Sequence, residues 1–282
     1  MPERMFAVIG HPIGHTMSPF IHKRLFQLAG KQGDYKIIDV AHEELEVKIK
    51  MLDELDGYNI TIPNKQAIIP FLDKLDKKAE MYGSVNTVKN GKMREGFTTD
   101  PDGFLKALES ENMPLKGNVV IVGCGGVART FAYEAALAES CITLAVRKED
   151  ELMAASLAKE VCGRVKNTKI KTCLISDLER NNTVNDLLVN ATPVGMYPRV
   201  GALPVSDSVI SRSACVFDAV YNPLKTKLIE KALANGSKAA GGMSMLVWQA
   251  AVAHQIWDGT LYSKDDINQL IEDSAKEMTR MF

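Results

Sequence analysis

A short strand that runs into a glycine-rich turn and then into a helix restricts this chain to an α/β fold more strongly than any other feature. The apolar segment Asn118–Val122 is followed at once by Gly-Cys-Gly-Gly-Val-Ala, and a helical pattern then extends over Val127–Ala138. Glycine lets the backbone approach a pyrophosphate, and a helix N-terminus offers it free N–H groups. The turn predicts a dinucleotide site, with a plain tight turn as the alternative. The residues expected to line this site are Gly123, Gly125, Gly126, Val127 and Ala128.

Alternating strands and helices surround this turn and predict a parallel, Rossmann-like sheet over residues 101–240. The predicted strands are Asn118–Val122, Cys141–Val146, Lys169–Cys173, Leu187–Asn190 and Ala214–Ala219. The predicted helices are Phe104–Ser110, Val127–Ala138, Asp150–Val161 and Lys225–Ala234. We therefore predict a dinucleotide-binding domain in the middle of the chain.

A second alternating pattern opens the chain and predicts a smaller βαβ domain with a parallel sheet. Its predicted strands are Arg4–Gly10, Tyr35–Val40 and Gly57–Ile62. The first of its predicted helices begins at the N-cap Ser18, and the other two are Glu43–Leu55 and Asn64–Leu75. The dipeptide Asn90-Gly91, between Ser84–Lys89 and Lys92–Phe97, predicts a hairpin with a type I′ turn.

The end of the chain reads as two helices, Met243–Trp257 and Lys264–Met281, with no further strand. We expect these helices to pack back on the first domain. The prediction is a fold of two α/β domains. The first is a discontinuous domain of residues 1–100 and 241–282, and the second is the Rossmann-like domain of residues 101–240.

The residues after the second strand of the Rossmann-like domain bear on the choice of cofactor. NAD sites place an acid about 20 residues beyond the glycine turn, where it holds the ribose 2′-hydroxyl. Here Arg147 and Lys148 stand at that strand end. An arginine can pair with a 2′-phosphate, so the pattern favours NADP. Glu149 and Asp150 follow directly and keep a solvated helix start open as the alternative.

Composition excludes several other classes of protein. The 282 residues carry a formal net charge of −1, so no field favours nucleic acid or a membrane surface. The apolar stretch Met243–Trp257 is interrupted by Gln249 and His254, and the first ten residues do not resemble a signal peptide, so a cytoplasmic location is expected. Five cysteines without a CxxC pair predict buried, reduced thiols.

A metal site is not expected in this chain. His11 and His15 lie four residues apart, which is the spacing of metal ligands on a helix. Pro12 and Gly14 stand between them and argue against a helix there.

Two polar residues close two characteristic segments and predict a proton-transfer pair. Lys65 ends Tyr58-Asn-Ile-Thr-Ile-Pro-Asn-Lys65, and Asp100 ends Gly96-Phe-Thr-Thr-Asp100. Reduction of a ketone needs a hydride donor and an acid at the developing alkoxide, and a lysine held by a carboxylate supplies that acid.

These segments, in this order, resemble the shikimate dehydrogenase family, which includes the quinate/shikimate dehydrogenases. The similarity covers nearly the whole chain. The blocks that carry it, besides the glycine turn, are Pro12–Pro19, Asn59–Lys65, Gly83–Val88, Gly96–Asp100, Asn190–Met196 and Met245–Gln249. The resemblance implies an oxidoreductase of aromatic amino acid and chorismate biosynthesis that interconverts 3-dehydroshikimate and shikimate with NADP.

The resemblance also implies individual roles. Lys65 and Asp100 would transfer the proton. Thr16 and Ser18 would bind the substrate carboxylate. The other residues that would bind the substrate are Asn59, Thr61, Asn86, Tyr221 and Gln249. On the cofactor side it implies Arg147, Lys148, Thr192, Met196 and Met245, besides the glycine turn.

Some positions depart from the family pattern and leave alternatives open. Thr16 adds a methyl group in the carboxylate loop, and Val146 and Lys148 flank the arginine in place of the usual Asn and Thr. A quinate/shikimate dehydrogenase that uses NAD or both cofactors is therefore the second hypothesis. A non-catalytic ligand sensor is the third, although retention of both Lys65 and Asp100 argues against it. The protein is expected to be a monomer or a homodimer.

Overall fold

The computed structural model describes residues 4–14 and 16–281 of the chain, and within them two compact units. The first unit contains the residues up to Gly103 and those from Val247 onwards, and the second unit is Phe104–Leu246. His15, which was weighed as a metal ligand with His11, lies outside the described residues.

The first unit is built on a six-stranded mixed sheet. Its strands are β1 (Arg4–Gly10), β2 (Gly33–Asp39), β3 (Gly57–Ile60), β4 (Lys74–Leu75), β5 (Thr87–Lys89) and β6 (Glu95–Phe97). Their order is β2-β1-β3-β5-β6-β4. Strands β1, β2 and β3 are parallel to one another, whereas β5 runs antiparallel to both β3 and β6. The predicted parallel sheet therefore holds only for the first three strands, and the hairpin makes the sheet mixed.

The helices that accompany this sheet are mostly shorter than the sequence pattern predicted. They are α1 (Ser18–Leu28), α2 (Leu45–Leu52), α3 (Asn64–Ala67), α4 (Lys77–Tyr82) and the start of α5 (Asp100–Ser110), which belongs to the second unit from Phe104 onwards. The helix predicted from Asn64 to Leu75 is wrong beyond Ala67. Pro70 has no N–H to continue the helix, so a 3₁₀ turn over Ile69–Phe71 follows, and the chain then enters β4.

Two local predictions in this unit are also wrong. Ser18 is the first helical residue of α1 and not its N-cap, a position that Met17 occupies. The hairpin pairs Lys89 with Glu95 across a five-residue loop, and neither Asn90 nor Gly91 has the positive φ of a type I′ turn. The Asn90 side chain donates instead to the carbonyls of Leu52 and Leu55, at 2.7 and 2.9 Å, which anchors the loop to the end of α2.

The two faces of the sheet carry different side chains because a strand alternates its residues. One face buries Ala7, Ile9, Tyr58 and Ile60 in an aliphatic core. The other face presents Phe6, Tyr35, Gly57 and Asn59, by the pairing of β2, β1 and β3.

The helices α11 (Gly242–Asp258) and α12 (Lys264–Met281) complete the chain, and residues from 247 onwards belong to the first unit. Trp257 of α11 packs with Phe6 and Phe26, and its indole Nε1 donates to the carbonyl of Val88 at 2.9 Å. A Cβ at Gly57 would lie 2.4 Å from that Nε1. The indole therefore reaches the sheet only because residue 57 has no side chain.

The second unit is a parallel sheet with helices between its strands. Its strands are β7 (Asn118–Val122), β8 (Cys141–Val146), β9 (Lys169–Leu174), β10 (Asn185–Asn190), β11 (Ser213–Asp218) and β12 (Lys238–Gly241). Its helices are α6 (Gly126–Leu137), α7 (Glu151–Arg164), α8 (Ile175–Arg180), α9 (Asp207–Ser211) and α10 (Lys227–Ala234). The order β12-β11-β10-β7-β8-β9 reverses direction at β7, which is a topological switch point. The predicted α/β fold class is thus confirmed.

The cysteines are free, as expected, but not all are buried. Cys124 and Cys215 are buried, Cys173 is intermediate, and Cys141 and Cys162 are exposed. The prediction of buried thiols is therefore wrong for the last two. Cys141 is the first residue of β8, and Cys162 lies in the last turn of α7, where the helix faces solvent.

None of the described helices is both long enough and apolar enough to span a membrane.

Replacement of Gly57 by alanine should destabilise the first unit. The added Cβ meets the Trp257 indole and the Val88 carbonyl, and overpacking of this kind costs about 1–3 kcal/mol. Urea unfolding followed by tryptophan fluorescence measures this unit, because the two tryptophans of the chain, Trp248 and Trp257, both belong to it. Gly91→Ala, where a Cβ meets nothing within 4 Å, is the control and should leave the midpoint nearly unchanged. Equal midpoints for the two variants would contradict the packing argument.

Candidate active site

One edge of the first sheet gathers the polar side chains of this unit. Because β1, β3 and β6 run in the same direction, their carboxyl ends meet at one edge, and the amino end of the antiparallel β5 lies there too. The described segments that leave or enter the sheet at this edge are 11–14, 16–18, 61–65, 84–86 and 98–100. Apart from His11, they belong to the blocks that carry the family resemblance.

Lys65 and Asp100 form an ion pair at this edge. Lys65 is the second residue of the short helix α3, and Asp100 is the first residue of α5. The Lys65 Nζ donates to the Asp100 Oδ2 at 2.5 Å, although the two residues are 35 apart in sequence. The two side chains are only 25% and 13% exposed. The pair is thus formed within the unit while a part of each side chain stays open to a ligand.

Asn86 holds the carboxylate of this pair in place. Its Nδ2 donates to the Asp100 Oδ1 at 2.8 Å and to the Thr99 Oγ1 at 3.0 Å. Its Oδ1 accepts from the backbone N–H of Thr99 at 2.7 Å. Asn86 is 3% exposed, so these hydrogen bonds are formed away from water. Most of the hydrogen-bonding capacity of Asn86 is therefore used inside the protein. Its contact with Asp100 fixes the direction in which that carboxylate faces Lys65.

The predicted substrate residues of the first unit extend this polar network. Asn59 donates to the carbonyl of Asn86 and to the hydroxyl of Thr87, at 3.2 and 3.0 Å. The Oε1 of Gln249 accepts from the hydroxyl of Thr99 at 3.2 Å. The structure thus brings Asn59, Asn86 and Gln249 together with the ion pair.

Two hydroxyl groups contact each other in the loop between β1 and α1, where the resemblance predicts binding of a carboxylate. The Thr16 hydroxyl donates to the Ser18 Oγ at 3.1 Å, and the Ser18 backbone N–H donates to the Thr16 Oγ1 at 3.2 Å. Both hydroxyls belong to a segment that begins at the carboxyl end of β1 and leads into α1. Thr61 is half-buried at the end of β3, and its backbone N–H donates to the carbonyl of Ile9 at 2.8 Å.

A cleft of about 300 Å³ lies at the switch point of the second unit. Gly123 and Gly125 of the glycine turn line it, together with Arg147 and Thr192, at the carboxyl ends of β7, β8 and β10. Gly123 has φ +103°, and a Cβ there would lie 2.8 Å from the Thr192 methyl group. This cradle, which a side chain would fill, fits the diphosphate of a dinucleotide at the N-terminus of α6.

A buried carboxylate fixes the Thr192 side of the cleft. The Asn190 Oδ1 accepts from the backbone N–H and the hydroxyl of Thr192, at 3.0 and 2.7 Å. Its Nδ2 donates to the Asp218 Oδ1 at 2.9 Å. Asp218 also accepts from the hydroxyl of Thr226 at 2.6 Å, and burial raises the pKa of its carboxyl. The role of Asp218 was not predicted from the sequence, because a single acidic residue at the end of a strand gives no signal until its partners are known.

Arg147 is not a free cation in the described structure. Its guanidinium pairs with Glu149 at 3.1 Å and with Asp150 at 2.9 Å, which raises the pKa of Arg147. The Arg147 side chain is 65% exposed, so it remains accessible to a phosphate. Lys148 pairs with Glu151 at 2.6 Å and does not line the cleft. The acids that weakened the case for NADP in the sequence therefore contact the arginine directly.

The remaining predicted cofactor and substrate residues of the second unit occupy several environments. Gly126, Val127 and Ala128 form the first turn of α6, where Ala128 is buried. Met196 is exposed in the loop after β10, and Met245 is buried in α11. Tyr221 follows β11, and burial raises its pKa. None of these residues lines the cleft of about 300 Å³, whose lining does include Asp150 and Cys124.

Metal ligands are not assembled in the described part of the chain. A search of residues 4–14 and 16–281 finds no group of three or more His, Cys, Asp and Glu side chains placed to hold an ion.

Comparison with known proteins gives consistent matches. Residues 8–88 match a family model described as the shikimate dehydrogenase substrate binding domain. A curated protein of Caldanaerobacter subterraneus subsp. tengcongensis, named shikimate dehydrogenase (NADP(+)), is 36% identical over 272 residues, which are 95% of this chain and 96% of that protein.

Two solved structures are also similar. The shikimate 5-dehydrogenase of Thermus thermophilus, in complex with NADP(H) and shikimate, has a TM-score of 0.84 and 31% identity over 96% of this chain and 99% of that one. The shikimate 5-dehydrogenase of Listeria monocytogenes, in complex with shikimate and NAD, has a TM-score of 0.86 and 31% identity over 95% of this chain and 96% of that one.

Replacement of Asn86 by alanine should destabilise the first unit. The buried N–H of Thr99 and the Asp100 carboxylate would each lose a partner, and an unsatisfied buried group costs about 1–3 kcal/mol. Urea unfolding followed by tryptophan fluorescence measures the change. Ser84→Ala, at a half-buried position two residues earlier, is the control and should shift the midpoint much less. A native midpoint for Asn86→Ala would show that the network contributes little to stability.

Proposed function

The chain belongs to the shikimate dehydrogenase family, as its sequence motifs predicted, and from that membership we propose that it interconverts 3-dehydroshikimate and shikimate with NADP. The observation that carries this proposal is the Lys65–Asp100 ion pair at 2.5 Å, held by Asn86 among hydroxyl and amide groups. Reduction of a ketone on a polyhydroxylated ring acid needs a proton donor of this kind and polar partners for the ring substituents.

In this proposal Lys65 is the acid of the reduction. A hydride from the bound dinucleotide would form the new C–H bond, and the carbonyl oxygen would take a proton from the Lys65 ammonium to become the alcohol. Asp100 keeps the ammonium oriented through the contact of 2.5 Å, and the same lysine accepts the proton in the reverse direction. Pre-orientation of this kind lowers the entropic part of the barrier.

The substrate's substituents are assigned to the polar groups at the same sheet edge. Thr16 and Ser18 are proposed to donate their hydroxyl hydrogens to the ring carboxylate, and their side chains already contact each other at 3.1 Å. Asn59, Thr61, Asn86 and Gln249 are proposed to bind ring hydroxyls. Tyr221 is proposed to contact the same substrate. These groups lack a positive charge, so Lys65 supplies the nearby cation that the carboxylate-bearing substrate meets.

The cofactor is assigned to the cleft of the second unit. Gly123, Gly125, Gly126, Val127 and Ala128 would hold the diphosphate, and Arg147 would face the 2′-phosphate. Lys148, which the resemblance also assigned to the cofactor, lies outside the cleft and is not proposed to contact it. Thr192 lines this cleft, and Met196 and Met245 are proposed to contact the nicotinamide. The two units are accordingly proposed as a substrate-binding domain and an NADP-binding domain. A cytoplasmic location, and a monomeric or homodimeric state, stay predictions.

The second candidate is a quinate/shikimate dehydrogenase that uses NAD or both cofactors. The contacts of Arg147 with Glu149 and Asp150 favour it, because a 2′-phosphate would compete with these acids for the guanidinium. A sensor without catalytic activity is the third candidate.

Initial rates with shikimate and with quinate, each with NADP and with NAD, test the proposal and separate the candidates. We expect the largest kcat/KM for shikimate with NADP. A larger value for quinate or for NAD would favour the second candidate. Binding of shikimate without turnover of any pair would reject the enzyme and favour the sensor.

Replacement of Lys65 by methionine should abolish most of the activity while the fold is retained. Methionine keeps an unbranched chain of similar length but removes the ammonium, and general acid–base groups contribute about 10²–10⁴-fold in rate. We expect kcat to fall at least about 10²-fold, with the KM for NADP nearly unchanged. Asp100→Asn should slow turnover as well, and the two losses should not add, because the residues act as a unit. A Lys65→Met enzyme with native kcat and a native circular dichroism spectrum would refute the role of Lys65.

Replacement of Arg147 by alanine should raise the KM for NADP far more than that for NAD. A charge-assisted contact with the 2′-phosphate is stronger than a neutral hydrogen bond. The exposure of the Arg147 side chain and its two acidic partners reduce the size of the effect. Lys148→Ala is the matched control, because this neighbouring cation lies outside the cleft and pairs with Glu151. Equal increases for both cofactors would exclude recognition of the 2′-phosphate by Arg147.

A further inference from the structure

Tyr35 is a half-buried residue of β2 that lies beside the candidate site without belonging to any of its motifs. It pairs with Phe6 of β1, on the sheet face that also carries Asn59 of β3. Its side chain crosses β1, and its hydroxyl donates to the Asn59 Oδ1 at 2.7 Å. Tyr35 therefore contacts a proposed substrate residue that is 24 positions away in sequence.

This contact limits what Asn59 can offer to a ligand. Both hydrogens of its amide group are used, since the Nδ2 donates to the Asn86 carbonyl and to the Thr87 hydroxyl. Only the Oδ1 remains, and Tyr35 occupies one of its two acceptor positions. The free position of Asn59 is an acceptor of fixed direction, which suits a donating ring hydroxyl.

The Tyr35 hydroxyl is a permanent donor to this side-chain carbonyl of Asn59. Burial raises the pKa of Tyr35 well above its usual range, so its hydroxyl keeps its proton at physiological pH. One acceptor position of the Asn59 Oδ1 therefore stays occupied by Tyr35.

A buried cluster immobilises the tyrosine ring. His22 stacks on Tyr35 with ring centroids 4.0 Å apart and planes 7° from parallel. The His22 Nδ1 lies 3.1 Å from the His254 Nε2, and the His254 Nδ1 lies 2.9 Å from the hydroxyl of Tyr262. Tyr262 donates its only hydroxyl hydrogen to the carbonyl of Leu25. His254 must then donate from Nδ1 and accept at Nε2, and His22 must donate from its own Nδ1.

These tautomers leave the cluster uncharged. The His22 Nε2 becomes an acceptor, and it has no hydrogen-bond partner among the described residues. Burial lowers the pKa of both histidines, that of His254 to about 3. The titratable and charged groups that act on the cluster are Asp258, Lys31 and Arg4, whose opposing effects on His254 are smaller than that of burial. The cluster therefore supplies a rigid, neutral support for the tyrosine ring.

We propose that Tyr35 is a positioning residue that fixes the direction of the Asn59 carbonyl, so that its free acceptor position meets a ring hydroxyl of the substrate. The inference rests on the proposed function, because it assigns Asn59 to the substrate. It adds a residue of β2 that does not act on the proton or on the cofactor.

Tyr35→Phe tests this role, since it removes the hydroxyl and keeps the ring on His22. The KM for shikimate should rise about 3–10-fold, which corresponds to the loss of one neutral hydrogen bond. The KM for NADP should change less than about twofold, because Tyr35 lies in the other unit of the chain from the NADP cleft. Tyr58→Phe is the matched control. Tyr58 precedes Asn59 in β3 but faces the aliphatic core, so its loss should leave the KM for shikimate unchanged.

A purely structural role predicts a different result for the same variants. An unchanged KM for shikimate in Tyr35→Phe, whether or not its melting temperature falls, would overturn the proposal. An equal rise in KM for Tyr58→Phe would overturn it too, since the effect would then come from the sheet. Failure of the proposed function is distinguishable, because it shows in the wild-type protein as a lack of turnover of shikimate.

A double-mutant cycle tests whether Tyr35 acts through Asn59. Tyr35→Phe and Asn59→Ala are compared singly and together for their effect on kcat/KM with shikimate. If Tyr35 acts through Asn59, the combined loss should fall short of the product of the single losses by at least about twofold. Independent losses that multiply would overturn the inference.

Discussion

The parallel alignment of strands is the constraint on which both halves of this molecule depend. Parallel strands end at one edge, so the residues that follow β1, β3 and β6 meet without any local signal to bring them together. In the second unit the same alignment places the glycine turn after β7 beside Thr192 after β10. The polar groups of each candidate site are therefore supplied mainly by chain segments that leave the sheet, while the central strands β1, β3, β7 and β10 stay largely buried.

Burial then makes the polar groups of these edges dependent on one another. Asn86, Thr99 and Asp218 are each buried, and each keeps its hydrogen-bonding capacity satisfied by neighbours that are themselves part of a site. Such networks are costly when one member is lost, because the remaining partners stay buried without a substitute. The geometry of the Lys65–Asp100 pair is in this way secured by the buried neighbours Asn86 and Thr99.

The parts of this arrangement that depend on patterns of consecutive residues could be predicted from the sequence. The glycine turn, the alternation of the second unit and the segments that end in Lys65 and Asp100 each carry a local pattern, and the strands Asn118–Val122 and Cys141–Val146 were predicted with the bounds that the structure has. The short helix α3 and the five-residue hairpin loop were not predicted, because Pro70 and the side chain of Asn90 act through contacts that the pattern does not contain. Tyr35 and Asp218 were missed for the same reason. Their partners lie in other strands, and only the register of the sheet brings them within reach.

The alternation of β3 has a consequence for how this protein can change. Tyr58 and Ile60 face the aliphatic core, whereas Gly57 and Asn59 face the indole of Trp257 and the polar groups of the site. A shift of one residue in the pairing of this strand would exchange the two sets, because side chains alternate with a period of two. Insertions or deletions in β3 would therefore disrupt the polar network and the core together. A substitution at position 59 changes one face alone, whereas the length of the strand is fixed by both of its faces at once.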